Sequence, residues 1–124
     1  MNIPSTIESP LHLPCGAQIK NRICKSAMTE RIADSNNLVS EKHLNLYKRW
    51  SEGGCGLLIS GNVMVDRYNI EGAGNIILEE KNFGMQKNML KRWTDISTKN
   101  NTHFWMQLSH AGRQTPGSIN SSPL

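Results

Sequence analysis

Apolar positions in this chain recur with two different periods, and the switching between them predicts its elements. Cys55–Val65, CGLLISGNVMV, is apolar on both alternating sets of positions. That is the pattern of a strand buried on both faces, as in a parallel sheet. Before it, Leu44, Tyr47 and Trp50 fall three apart, which places them along one helical face. Ser40 and Glu41 stand where that helix would begin. The hydroxyl can receive free backbone N–H groups, and the acid suits the positive end of the helix dipole. Gly53 and Gly54 stop it. After the strand comes a second helical stripe: Gln86, Met89, Leu90, Trp93 and Ile96, with Gln86 its lone polar member. Asn82 is its predicted cap, and Asn100 and Asn101 its end.

Arg22–Met28 and His103–Leu108 read as further strands. The first ten residues read as a loose lead-in, and Leu11–Lys20 as a tight hairpin around Pro14, Cys15 and Gly16. Asp34–Asn37 is a turn-rich loop, and Asp66–Asn75 a polar loop or small hairpin. The order strand, helix, strand, helix, strand predicts an α/β protein with right-handed parallel crossovers. Its 124 residues correspond to about one small domain.

Composition narrows the function classes. The formal charge is +4, but the lysines and arginines are scattered. A solvated basic surface is expected, not a nucleic-acid footprint. Three cysteines, Cys15, Cys24 and Cys55, are too far apart for a zinc knuckle or redox pair. Their odd number argues against a disulfide framework and for a reducing, cytoplasmic setting. The first residues lack a basic segment followed by a long apolar run, so no secretory signal is expected. No stretch approaches the roughly 18 apolar residues of a membrane span. The triplets Asn100-Asn101-Thr102 and Asn120-Ser121-Ser122 are then chance matches to a glycosylation motif.

In an α/β fold of this kind, chemistry gathers at the carboxyl ends of the strands. The first strand ends at Ala27, Met28 and Thr29, the second reaches Ser60, Gly61 and Asn62, and the third ends with Gln107, followed by His110 and Arg113. Gln107 carries both an amide donor and an acceptor, which suits the mixed edge of a heterocycle. Thr29 carries a hydroxyl that can donate to a carbonyl. Gly61, without a Cβ, admits a flat ligand against the backbone. Each residue also has a plainer reading. Thr29 can cap the following turn, Gly61 can mark a bulge, and Gln107 can be a satisfied core amide. His110 can pin a loop, and Arg113 can pair with Glu30. Asn62 has no assigned task.

Three stretches, KNRICKSAMTE (Lys20–Glu30), GGCGLLISGNVMV (Gly53–Val65) and MQLSHAGR (Met106–Arg113), together resemble the N-terminal part of the Old Yellow Enzyme family. They stand in the family's order and at fitting intervals, and the resemblance runs from about Leu11 to Pro116. These are FMN-dependent NAD(P)H:flavin oxidoreductases and ene-reductases built on a TIM barrel. The resemblance therefore implies the N-terminal part, about three βα units, of a (β/α)8 barrel, preceded by a short hairpin. It implies FMN as cofactor, NAD(P)H as reductant and a small-molecule acceptor such as an activated alkene. By resemblance, Ala27 and Met28 lie along the flavin and Thr29 contacts its O4 and N5 region. Gly61 stands where a small residue lets the ring approach, and Gln107 bonds the pyrimidine edge. His110 and Arg113 belong to loop architecture beside the ring.

Two positions depart from the family pattern: Ala27, where many members have proline, and Lys25, where many are apolar. No catalytic residue and no metal ligand is expected in this stretch. The family's substrate-binding histidine pair, tyrosine proton donor and phosphate-holding basic residues lie on later strands. A complete barrel takes about 250 residues and eight strands, so this sequence resembles its first third. A partner chain, or a further copy, would complete the barrel. By itself the chain is expected to bind FMN weakly or not at all and to be inactive. The alternative is a non-catalytic relative that acts only by association.

Overall fold

The chain's first paired elements are two short antiparallel strands, β1 (Leu11–His12) and β2 (Gln18–Ile19), with Leu11 opposite Ile19. This is the predicted hairpin, closed by the Gly16 amide donating to the Leu13 carbonyl at 2.9 Å. It belongs to a computed structural model that describes residues 6–118. The Asn120-Ser121-Ser122 triplet and the first five residues of the lead-in lie outside that range.

The next strand, β3 (Cys24–Lys25), is shorter than the Arg22–Met28 expected. It pairs with the start of the central strand and then leaves the ladder. Lys25 turns its Nζ towards the helix layer, 4.4 Å from the centre of the Trp50 ring and 5.3 Å from that of Tyr47. That nitrogen is buried without a hydrogen-bond partner. Burial lowers the Lys25 pKa, while the Glu30 charge and the two ring faces favour the cation.

Helix α1 (Glu41–Glu52) begins where Ser40 predicts. The hydroxyl, however, donates to the Ile32 carbonyl at 2.6 Å, and the buried His43 Nδ1 accepts the Ser40 backbone N–H at 3.1 Å. The cap is thus built from inside the helix. Leu44 and Tyr47 are fully buried on the predicted face. The chain then enters the central strand, β4 (Leu57–Met64). A two-residue strand, β5 (Ile76–Ile77), follows within a region read as loop. It is too short to show a period.

Helix α2 (Glu80–Ser97) starts two residues before Asn82. Asn82 still serves its end, because its Oδ1 accepts the Glu79 N–H at 3.1 Å. The polar member of the stripe is anchored through its amide nitrogen, while its Oε1 is buried without a partner. Gln86 is fully buried, and its Nε2 donates to the Ile77 carbonyl at 2.8 Å and to Asn82 Oδ1 at 3.1 Å. Asn100 and Asn101, both in left-handed conformation, end the helical segment. The last strand is β6 (His103–Ser109).

β4 runs parallel to all its neighbours. β6 pairs along its whole length on one side; β3 and then β5 pair on the other. Both helices cover the face of the sheet that presents Leu58 and Val63. Tyr47, Trp93 and Phe104 meet there in tilted or edge-on pairs, with ring centres 4.9 to 5.3 Å apart. Parallel strands joined through helices on their outer face are the arrangement of consecutive βα units in a (β/α)8 barrel.

Trp93 is the largest fully buried side chain, and its removal should be the severest single test of this layer. Trp93→Ala should cost about 3–5 kcal/mol in urea unfolding. Trp93→Phe should cost clearly less, since the indole N–H has no partner to lose.

Candidate active site

The site begins with a fault in the central ladder. Ile59 stands opposite Trp105 and Asn62 opposite Gln107. β4 takes three steps there while β6 takes two, so Ser60–Gly61 forms a bulge. The Ser60 hydroxyl and both Gly61 backbone groups are engaged in the bulge. Ser60 Oγ accepts the Gln107 N–H at 2.9 Å and donates to the Gly61 carbonyl at 2.7 Å. The Gly61 N–H reaches across the sheet to the Tyr47 hydroxyl at 3.2 Å, and that hydroxyl in turn donates to Glu30. Burial, reinforced by the carboxylate, raises the Tyr47 pKa far out of range, so the phenol stays a donor.

Gly61 has a reason of its own to lack a side chain. A Cβ there would stand 2.4 Å from the Met28 carbonyl oxygen, 2.9 Å from Thr29 Cα and 2.3 Å from Glu30 Oε2. The chain that leaves β3 therefore crosses over Gly61 and delivers Thr29 to the carboxyl end of β4.

There Thr29, Arg31, Asn62, Glu71 and Gln107 form one connected polar cluster. Glu71 Oε2 accepts from Thr29 Oγ1 at 3.2 Å and from Asn62 Nδ2 at 2.5 Å. Asn62 Oδ1 accepts from Gln107 Nε2 at 2.5 Å. Arg31 adds a long contact to Glu71 Oε1 at 3.4 Å. The hydrogen bond from Asn62, helped by Arg31 and Thr29, holds the Glu71 pKa below the usual carboxylate range although partial burial opposes it. Arg31 sits at φ 52°, a conformation costing roughly 1–2 kcal/mol for a side chain with a Cβ. Its carbonyl oxygen lies 2.5 Å from where a Cβ on Gly74 would be. The loop after β4 is thus moulded onto the segment after β3. Among the described residues no three acidic, histidine or cysteine side chains converge as a metal site would need.

No family model matches the chain. Its sequence is 37% identical over 108 residues to the NADH-dependent flavin oxidoreductase of Neonectria sp. (strain DH2), covering 86% of this chain and 14% of that one. It is 33% identical over 110 residues to the NADH-dependent flavin oxidoreductase of Hypocrea jecorina (strain QM6a), covering 86% of this chain and 27% of the relative. Its fold matches the Old Yellow Enzyme homologue from Zymomonas mobilis with a TM-score of 0.80 at 19% identity. That match covers 96% of this chain and 32% of the solved one. The chain is thus similar in sequence to NADH-dependent flavin oxidoreductases and in fold to Old Yellow Enzymes. It spans well under a third of the length of either curated relative, and it has the architecture of part of an Old Yellow Enzyme barrel.

Within this partial barrel, two residues expected at the site, Thr29 and Gln107, are joined through Glu71 and Asn62. Ala27 and Met28 lie on the same crossing segment, with Met28 half exposed. Gly61 lies in the bulge, and its missing Cβ serves the chain itself. The space beside it admits the chain's own Met28–Glu30 backbone, and the bulge reading holds. Thr29 is also committed, since its hydroxyl hydrogen goes to Glu71. His110 behaves as a loop pin: its Nδ1 accepts the Gly112 N–H at 3.0 Å, and its Nε2 lies 3.8 Å from Asp66. Arg113 is exposed, and the carboxylate suggested for it, Glu30, is taken by Tyr47.

Asn62, Glu71 and Arg31 join the cluster without having been singled out for it. Asn62 did carry a signal, as a polar side chain within an apolar run. Glu71 carried none, because its approach depends on the fold of the loop after β4.

Gly61→Ala should displace the Met28–Glu30 segment. The expected loss is about 1–3 kcal/mol in denaturant unfolding, with shifted amide NMR signals at Thr29 and Glu30. An unchanged midpoint and spectrum would mean that the crossing is not tight.

Proposed function

We propose that this chain supplies one wall of the flavin site of an NAD(P)H-dependent flavin oxidoreductase, with FMN as the flavin. The supporting observation is the Gln107 side chain at the carboxyl end of β6. Its Nε2 is bonded to Asn62, and among the described residues no group donates to its Oε1. One carbonyl oxygen and one amide hydrogen are therefore left for a ligand. That pair fits a ring edge carrying an N–H next to a carbonyl, as the pyrimidine ring of a flavin does.

In this reading Gln107 orients the ring and the Met28–Thr29 segment lies along it. Asn62 links Gln107 to the Glu71 carboxylate that Thr29 also meets. The flavin supplies the redox chemistry, taking hydride from NAD(P)H and passing it to an activated alkene or similar small molecule. This chain's residues bind and orient; none of them is placed as a proton donor. The names of the curated relatives support the NADH-dependent flavin chemistry.

Catalysis would need the rest of a barrel, from this polypeptide or a partner. Among the described residues β3 and β6 each pair only with β4, on facing sides. Their outer edges are free to receive further strands, which is also what the association-only alternative would use. No described helix is long and apolar enough to cross a membrane.

The test is a titration of the purified chain with FMN, followed by quenching of flavin fluorescence. Weak, saturable quenching is expected, with affinity falling about tenfold in Gln107→Ala, the loss of roughly one hydrogen bond. Identical titrations of the two chains, or no binding by a folded chain at high flavin concentration, would overturn the reading.

A further inference from the structure

We infer that Glu71 is a positioning residue whose charge sets the direction in which the Gln107 amide faces its ligand, acting through Asn62. The inference concerns the same site as the flavin reading and rests on it for the ligand's identity. The relay itself is a property of this chain.

An ionised carboxylate can only accept hydrogen bonds. Whatever Asn62 presents to Glu71 Oε2 at 2.5 Å must therefore be its NH2 group. The other end of the same amide, Oδ1, then faces Gln107 and can only accept. Gln107 must present its own NH2 at 2.5 Å, which leaves its carbonyl oxygen outward. The polarity of one charge thus passes through two amides in series. Without it, the choice is nearly degenerate. The two ends of a primary amide have almost the same shape, and only the hydrogen-bond network decides between them. Flipped together, Asn62 and Gln107 could still bond each other, and Gln107 would then offer an NH2 where the oxygen had been.

Glu71 is well held for this task. Thr29 donates to the same oxygen that Asn62 uses, and Arg31 lies against the other. Both neighbours favour the charged form. The relay therefore stays set down to a pH below the ordinary glutamate value of about 4.3 and is lost only as pH falls through the lower folded value.

The test is side-chain amide and carboxyl NMR on the whole chain, uniformly labelled with ¹³C and ¹⁵N, without ligand. In the parent chain the NH2 signals of both Asn62 and Gln107 should titrate together in acid, with the same midpoint as the Glu71 carboxyl carbon. In Asn62→Ala, Glu71 should still titrate while the Gln107 NH2 no longer follows it. Glu71→Gln, whose carbonyl can still accept from Asn62, should keep both NH2 groups protected from exchange but abolish their titration. Glu71→Leu should lose protection as well.

A Gln107 signal that ignores Glu71 ionisation while Asn62 follows it would overturn the inference. So would a Gln107 titration that survives Asn62→Ala. Neither result depends on flavin binding. A working relay in a folded chain that binds no FMN would instead sink the flavin reading and leave the positioning role standing.

Discussion

The buried Tyr47 hydroxyl is the contact on which the site's geometry depends. A bulge in the middle of a buried strand leaves a backbone N–H without a ladder partner, and an unpaired N–H in that place would cost the fold heavily. Here the Gly61 N–H finds Tyr47, which belongs to the helix layer behind the sheet. The same oxygen donates its hydrogen to Glu30, on the segment crossing in front of Gly61. One phenol therefore ties together the helix, the bulge and the crossing chain. The bulge brings Asn62 into register with Gln107; the crossing chain brings Thr29 to the Glu71 carboxylate that also holds Asn62.

This arrangement makes the helix layer part of the site's mechanics. Tyr47 is held by aromatic neighbours on three elements: Trp50 on its own helix, Trp93 on α2 and Phe104 on β6. Its hydroxyl can reach the bulge only if that packing keeps the ring upright. Lys25 lies over two of these rings. A buried ammonium with no hydrogen-bond acceptor is tolerable because the ring faces and the nearby Glu30 charge partly replace its hydration. The polar residue that departs from the family pattern at the first strand is therefore matched to α1, on the far side of the sheet from the site.

The elements were legible in the sequence because they are long enough to show a period. The run around Leu57–Met64 and the stripe through Gln86 and Trp93 identify a buried strand and an amphipathic helix by pattern alone. β5 was not legible, since two residues have no period. The helix caps were half legible. Ser40 marks the place, but the capping atom comes from His43, whose ring had to fold back to be seen. At the site, the motifs around Thr29 and Gln107 pointed to two side chains of the polar cluster. They could not show that the Thr29 hydroxyl is already engaged, nor that Gly61 makes room for protein, because both facts depend on where distant segments cross.

What the sequence could least reveal is how a loop residue governs the two motif residues. Glu71 lies 42 positions from Thr29 and nine from Asn62, and no spacing rule links a loop carboxylate to the end of a strand. Its position depends on the loop after β4 folding back against Arg31, whose left-handed backbone lies close over Gly74. That strain is local and is offset by contacts that exist only once β3, β4 and the loop have docked. An arrangement of this kind is specified by contacts between distant segments: the bulge orients Asn62, the loop brings in the charge, and the charge decides which end of Gln107 faces outward. The outward end of the Gln107 amide on β6 is in this sense set from the opposite side of β4.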